Sequence, residues 1–166
     1  MIRASVLLVA LFALLLQGCS NGDDFQNDRR RVEEALNALA TNLVENRPAD
    51  VAAYTERLGR HVESDPSFFG SAVALIDEAG SVIASPYVYR TDEGYSTKDL
   101  ASPSYGIESQ EWFTAPIAAD AGVWSEPYFD AGGGEIWMIT RSVPVRDSEG
   151  IFAVVTTDLE VDAPSR

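Results

Sequence analysis

An aromatic and acidic group in the second half of the chain has the clearest potential for chemistry. Tyr128 and Asp130 are two positions apart, so on a strand they share one face. Asp158 ends the run Val-Val-Thr-Thr-Asp (residues 154–158), which otherwise resembles a buried strand. A carboxylate placed there must be hydrogen-bonded, solvated or paired with a cation. The whole group consists of Tyr105, Trp112, Phe113, Trp124, Tyr128, Asp130 and Asp158.

This combination of side chains suits a bound ammonium group. The carboxylates would accept charge-assisted hydrogen bonds, and the aromatic rings would add cation–π attraction. The residues by themselves leave a second interpretation open, in which the rings form a packed core and the two acids lie at the surface.

Other site chemistries find little support in the sequence. The chain has one histidine, His61, and one cysteine, Cys19, which excludes a histidine pair for a metal, a cysteine-based zinc site and an internal disulfide framework. His61 lies beside an apolar helix stripe, a position that favours a packing or surface role. The three glycines at 132–134 fall between predicted strands, whereas a phosphate cradle needs a helix N-terminus beside it. We therefore predict no enzyme activity, no cofactor and no metal.

The charge balance of the chain argues against one class of partner, nucleic acids. The 166 residues include 26 acidic and 12 basic side chains, for a formal charge of −14. Nucleic-acid binding is disfavoured, because phosphate contacts need clusters of lysine and arginine. Hydrophobic residues make up 46% and charged residues 23%, a globular composition, and the length fits one domain.

The elements that must position these side chains are two helices followed by strands. Helical spacing links one apolar set and then a second, with Pro48 expected in the first turn of the second helix. The two sets are Val32, Leu36, Leu39 and Leu43, and Val51, Tyr54, Leu58 and Val62. Strands are predicted over 71–77, 81–90, 123–130, 135–145 and 151–159, with a loop over 91–107 and a short helix over 108–117. This order predicts an α+β fold with helices packed on an antiparallel sheet.

The first residues are predicted to be a targeting signal. Arg3 precedes an apolar run over 6–16 that is too short to span a bilayer but fits a signal peptide over 1–18. The run ends in Leu-Gln-Gly-Cys (16–19), which resembles the bacterial lipobox, in which cleavage precedes a cysteine that is then lipidated. A signal without lipidation is the alternative. We expect residues 19–24 to form a lipidated polar tether, residues 25–162 to form the domain, and Ser20 to favour the outer membrane.

Several short segments, in order, match one known family. They are Trp-Ser-Glu-Pro-Tyr-Phe-Asp (124–130), Gly-Gly (133–134), Met-Ile-Thr (138–140), Ser-Val-Pro (142–144) and Val-Thr-Thr-Asp-Leu (155–159). Together they resemble the extracytoplasmic Cache sensor domain, the PAS-like, PDC-type fold of bacterial chemoreceptors and histidine kinases. The resemblance covers roughly residues 28–161. It implies a single Cache module, with a long N-terminal helix and a second helix on an antiparallel PAS-like sheet.

The resemblance also implies a set of ligand-binding residues. In order along the chain they are Tyr105, Gln110, Trp112, Phe113, Tyr128, Asp130 and Asp158. Amino-acid-binding members of the family have Arg at the position of Gln110, where it holds the ligand carboxylate, and Tyr at the position of Phe113. Glutamine cannot form the bidentate charged pair that arginine makes with a carboxylate. The site is therefore expected to prefer an amine to its parent amino acid, unless Arg90 or Arg141 supplies the missing charge.

The functional expectation is a lipid-anchored periplasmic module that binds an amine or amino-acid-like ligand. The sequence shows no transmembrane helix, kinase or methyl-accepting segment, so its output is expected to pass through an unknown envelope or sensor protein. The alternative is an envelope structural or interaction lipoprotein with a non-binding Cache fold. A pocket filled by Trp112 and Phe113 would favour that alternative.

Overall fold

The computed structural model describes residues 20–164, so the expected signal peptide (1–18) and the lipidation site Cys19 lie outside the described residues. Helix α1 spans Ser20–Glu45, and the residues expected to act as a tether after Cys19 are its first turns. None of the helices in the described part of the chain is long and apolar enough to cross a membrane.

The two predicted amphipathic helices are present. In α1, the stripe Val32, Leu36, Leu39 and Leu43 is buried as predicted. Helix α2 spans Val51–Glu63, and the side chain of Asp50 caps it by accepting a 2.9 Å hydrogen bond from Ala53 N.

Two details of the second helix were predicted wrongly. Pro48 lies before the cap rather than in the first turn, because Asp50 can satisfy a free backbone N–H and proline offers no such acceptor. Val51 is 45% exposed, whereas Tyr54, Leu58 and Val62 are buried. Its place at the first position of the helix leaves it without a facing element.

One antiparallel sheet follows the two helices. The strands are β1 (Gly70–Ile76), β2 (Val82–Ala84), β3 (Pro86–Thr91), β4 (Gly94–Asp99), β5 (Val123–Trp124), β6 (Tyr128–Phe129), β7 (Trp137–Arg146) and β8 (Ile151–Glu160). Their order is β4-β3-β1-β8-β7-β5, with β2 also pairing with β1 and β6 with β7. A 3₁₀ turn (Ile107–Ser109) and helix α3 (Glu111–Ala119) lie between β4 and β5. The α+β class is confirmed.

Strand boundaries depart from the sequence prediction in three places. The expected loop over 91–107 contains β4, an edge strand without the apolar alternation that marks a half-buried strand. The strand expected over 81–90 is interrupted at Ser85. The strand expected over 123–130 is two short pieces separated by residues 125–127, where Pro127 lacks the N–H that a continuous ladder requires.

The sheet separates two apolar layers. On one face, Val73, Ala153 and Val155 pack with the buried stripes of α1 and α2. On the other face, Ala72 and Val154 pack with the segment that carries α3. Because side chains alternate along β8, Thr156 and Asp158 belong to the second face, with Val154. Asp158 therefore belongs to the layer away from the long helices, and Asp130 lines the same cavity.

Candidate ligand-binding site

A small cavity lies on this second face of the sheet. Its volume is about 10 Å³, which is roughly the space that one water molecule requires. Five of the seven predicted site residues line it. The lining residues are Ala72, Tyr87, Leu100, Tyr105, Trp112, Tyr128, Asp130, Thr140, Thr156 and Asp158.

Asp130 follows β6, and its carboxylate accepts hydrogen bonds from two donors. The hydroxyl of Tyr105 donates to Oδ1 at 2.8 Å, and the backbone N–H of Gly134 donates to Oδ2 at 2.6 Å. Trp112 Nε1 donates in turn to the Tyr105 hydroxyl at 3.0 Å. Burial raises the pKa of Asp130, while these hydrogen bonds oppose the increase. The carboxylate is thus fixed in place at the wall of the cavity.

Asp158 lies inside β8, paired with Gly70 on one side and Thr140 on the other. It was expected at the end of the strand, but the strand continues to Glu160 and only 4% of Asp158 is exposed. Thr140 Oγ1 donates to Asp158 Oδ1 at 2.8 Å. Burial raises the pKa of Asp158 to about 7, with the nearby charge of Asp130 adding to the increase and the Thr140 hydrogen bond opposing it.

Within residues 20–164, no basic side chain lines the cavity. The basic group that acts on it from outside is Lys98, whose ammonium donates to the backbone carbonyls of Gly132 and Gly133 at 3.0 and 2.7 Å. Its charge opposes the increase that burial causes in the pKa of Asp130. The two carboxylates consequently form a negative centre with no cation among the described residues that line the cavity.

The other two predicted residues lie behind the cavity wall. Gln110 Nε2 donates to the backbone carbonyl of Tyr105 at 3.1 Å, and Phe113 packs edge-on against Trp112, with ring centroids 6.1 Å apart. Neither lines the cavity. They support the segment that carries Tyr105 and Trp112.

The aromatic group is divided by the sheet. Trp124 lies on the side of α1, where its Nε1 donates to Glu33 Oε1 at 2.7 Å and the guanidinium of Arg29 lies 4.6 Å from its ring centroid. The grouping of Trp124 with the site aromatics is therefore wrong. It is separated from them because the chain reverses face across residues 125–127.

The two arginines that might have supplied a positive charge are elsewhere. Arg90 donates to the carbonyls of Val62, Asp65 and Phe68, at the end of α2. Arg141 follows Thr140 on β7, so it points to the opposite face, where burial lowers the pKa of its guanidinium and the charge of Glu33 opposes the decrease. Neither arginine therefore supplies, at this cavity, the positive charge that would pair with a ligand's carboxylate.

Five lining residues were not predicted: Ala72, Tyr87, Leu100, Thr140 and Thr156. Thr156 shares a face with Asp158, and an antiparallel pairing of β7 with β8 would have placed Thr140 opposite Asp158. Tyr87 reaches the cavity from β3, and nothing in its local sequence indicates that.

A known family model covers most of the described residues. Residues 54–163 match the family model described as methyl-accepting chemotaxis protein-like, first PDC sensor domain. No curated protein matches the chain.

Solved structures with the same fold are sensor domains. The extracellular domain of a candidate histidine kinase, soHK1S-Z6, is 27% identical, with a TM-score of 0.74 over 83% of this chain and 55% of that one. The ligand-binding domain of the Pseudomonas aeruginosa amino acid chemoreceptor PctC, in complex with GABA, is 20% identical, with a TM-score of 0.59 over 81% and 58%. The Campylobacter jejuni chemoreceptor Tlp3 domain, in complex with L-norvaline, is 14% identical, with a TM-score of 0.61 over 84% and 52%. The chain thus spans about half the length of the solved domains it matches.

Proposed function

The chain belongs to the family of methyl-accepting chemotaxis protein-like first PDC sensor domains, and from that membership we propose that it is a sensor module that binds a small amine or amino-acid-like ligand. The ligand's ammonium group would lie against the carboxylates of Asp130 and Asp158. Tyr105, Trp112 and Tyr128 would enclose it. Gln110 and Phe113 would act from behind, by supporting Tyr105 and Trp112.

One observation carries this proposal: two acids are buried at one cavity with no cation among the described residues that line it. Burying a carboxylate is costly unless it is hydrogen-bonded and paired, and two nearby negative charges add to the cost. A cationic ligand would relieve both penalties. The relatives in complex with GABA and L-norvaline are sensor domains of the same fold whose ligands carry an amino group.

The small cavity favours a second candidate function, an envelope interaction protein with a closed, non-binding fold. The cavity has room for about one water molecule, so binding of an amine requires some of its lining side chains to move. A permanently closed core would gain from apolar side chains in place of the acids, because such replacements of buried charges are often stabilising. The two buried acids therefore favour the sensor.

An amine is the preferred ligand class within this proposal. Gln110 is engaged with the Tyr105 carbonyl, and neither Arg90 nor Arg141 lines the cavity. The carboxylate of an amino acid would be desolvated beside two acids without a positive partner. A decarboxylated amine avoids that cost.

The setting of the module is also part of the proposal. Lipidation of Cys19 would anchor it to the outer membrane, facing the periplasm, and its signal would pass to a separate envelope or sensor protein. The support comes from the lipobox-like sequence, from Ser20 and from the extracellular placement of the related kinase domain.

A thermal-shift screen of the purified protein against amines and their parent amino acids tests the proposed function. We expect amines to raise the melting temperature, by the equivalent of about 2.7 kcal/mol at one hundred times Kd, and each amine to bind more tightly than its parent acid. The affinity should fall below about pH 7, because protonation of Asp158 removes one charged acceptor. Absence of stabilisation by every amine would instead support the closed, non-binding candidate.

A further inference from the structure

We propose that the hydroxyl of Tyr87 is a third acceptor for the ligand's ammonium group, so that the site selects primary amines over N-methylated ones. This inference rests on the proposed function. It assigns a specificity-determining role to a residue outside the predicted site.

The hydroxyl of Tyr87 stands out at the cavity because it is buried without a partner. Tyr87 lines the cavity, is 1% exposed, and its Oη has no hydrogen-bond partner among residues 20–164. The hydroxyls of Tyr105, Tyr128, Thr140 and Thr156 all have partners. Native proteins seldom leave a buried hydroxyl unpaired, and a missing ligand is one explanation when they do.

Its surroundings place this hydroxyl between the two acids. Burial raises the pKa of Asp158 and the nearby Tyr87 hydroxyl opposes the increase, although the two groups are not in hydrogen-bond geometry. Burial raises the pKa of Tyr87, and the charges of Asp158 and Asp130 add to the increase. The phenol therefore stays protonated. It can turn its proton toward Asp158 while its lone pairs accept from a ligand.

Two glycines leave the space that the hydroxyl occupies. A Cβ atom on Gly70 would lie 2.5 Å from Tyr87 Oη, and a Cβ atom on Gly134 would lie 3.1 Å from it. Gly70 pairs with Asp158 across the sheet, and Gly134 donates to Asp130. The hydroxyl is thus inserted between the two backbone segments that hold the acids.

The number of acceptor groups predicts which charged group of the ligand, called its head here, the site prefers. A primary ammonium group has three N–H donors, and Asp130, Asp158 and Tyr87 offer one acceptor group for each. A trimethylammonium group has no N–H donor, so charge attraction is all that the same three groups can offer it. Because the two heads also differ in size and hydration, the contribution of the Tyr87 hydrogen bond is measured by the effect of removing that hydroxyl on the binding of each head.

Titration of n-propylamine and propyltrimethylammonium into the unmodified protein and Tyr87→Phe tests the inference. We expect the unmodified protein to bind propylamine more tightly. Tyr87→Phe should weaken propylamine binding roughly three- to tenfold, the worth of one hydrogen bond, and should leave the trimethyl compound unchanged. Tyr89→Phe is the matched control, because Tyr89 stacks on Tyr87 at 5.0 Å but does not line the cavity. It should bind both compounds like the unmodified protein.

The outcomes separate this inference from the proposed function. Tyr87→Phe should still fold cooperatively, since the lost hydroxyl makes no hydrogen bond among the described residues, and a melting curve checks this. Full propylamine affinity in Tyr87→Phe would overturn the role of Tyr87 and leave the amine site standing. Equal binding of both compounds by the unmodified protein would also overturn it. Failure of propylamine to bind at all overturns it as well, and the wider amine screen then decides the proposed function.

Discussion

At the scale of the residue, burial raises the pKa of the two acids at the cavity. Asp158 has a pKa of about 7, whereas an unfolded aspartate titrates near 3.9. The folded state therefore binds a proton between those values that the unfolded state has released. This contribution to stability is fully present below about pH 4 and is lost as the pH rises through 7.

Replacing the acid with its neutral isostere should remove this pH dependence. Relative to the unmodified protein, Asp158→Asn should gain free energy of unfolding as the pH rises from about 4 to about 8, by up to roughly 4 kcal/mol. Urea unfolding of both proteins across that range measures the difference. His61, whose burial lowers its pKa to about 4, contributes with the opposite sign below about pH 6.5. That contribution cancels when the two proteins are compared at the same pH. If the free energy of unfolding changed with pH in the same way in both proteins, Asp158 would be charged throughout that range.

At the scale of the element, the turn between β6 and β7 builds one wall of the cavity. The N–H groups of Gly133 and Glu135 donate to the Asp130 carbonyl, and Gly134 donates to its carboxylate. Lys98, from the edge strand β4, holds the carbonyls of Gly132 and Gly133. A glycine-rich turn was predicted here. The closeness of Gly133 to the Asp130 carboxylate leaves no room for a side chain at that position unless the carboxylate moves.

Gly133→Ala tests this packing. The added Cβ atom would lie 2.0 Å from Asp130 Oδ2, and we expect destabilisation by about 1–3 kcal/mol together with weaker amine binding. Gly59→Ala is the control, since position 59 lies within α2 with open space around it. It should stabilise the fold by about 0.5–1 kcal/mol. Chemical unfolding measures both effects, and a Gly133→Ala variant as stable as the unmodified protein would mean that the turn adapts freely.

At the scale of the whole molecule, one sheet separates an apolar core from the candidate binding cavity. The face that packs α1 and α2 is an apolar core, and the face that packs α3 holds the acidic cavity. The chain's formal charge of −14 would attract a cationic ligand and repel an anionic one. The proposed membrane anchor lies in residues that precede the described fold.

Cys19→Ala tests that placement. The variant should incorporate no fatty-acid analogue and should remain an unprocessed precursor, because the lipobox-like sequence would lose its acceptor thiol. Ser20→Asp is the companion variant, which should keep the label and move the protein to the inner membrane. Metabolic labelling followed by membrane fractionation measures both. An unmodified protein without label would refute the anchor.

Local periodicity by itself determined the two helices, most strands and the α+β class, because apolar spacing and turn residues are properties of neighbouring positions. Short segments in a fixed order carried the family resemblance. Periodicity also placed Tyr128 with Asp130 on one face. Only the tertiary structure decided which layer covers each face. It moved Trp124 to the other side of the sheet, set Gln110 and Phe113 behind the wall, and brought Tyr87 and Thr140 to the acids. Alternation tells which side chains share a face, whereas a cavity is made by residues distant in sequence, and their meeting depends on strand order and on which helix packs above them.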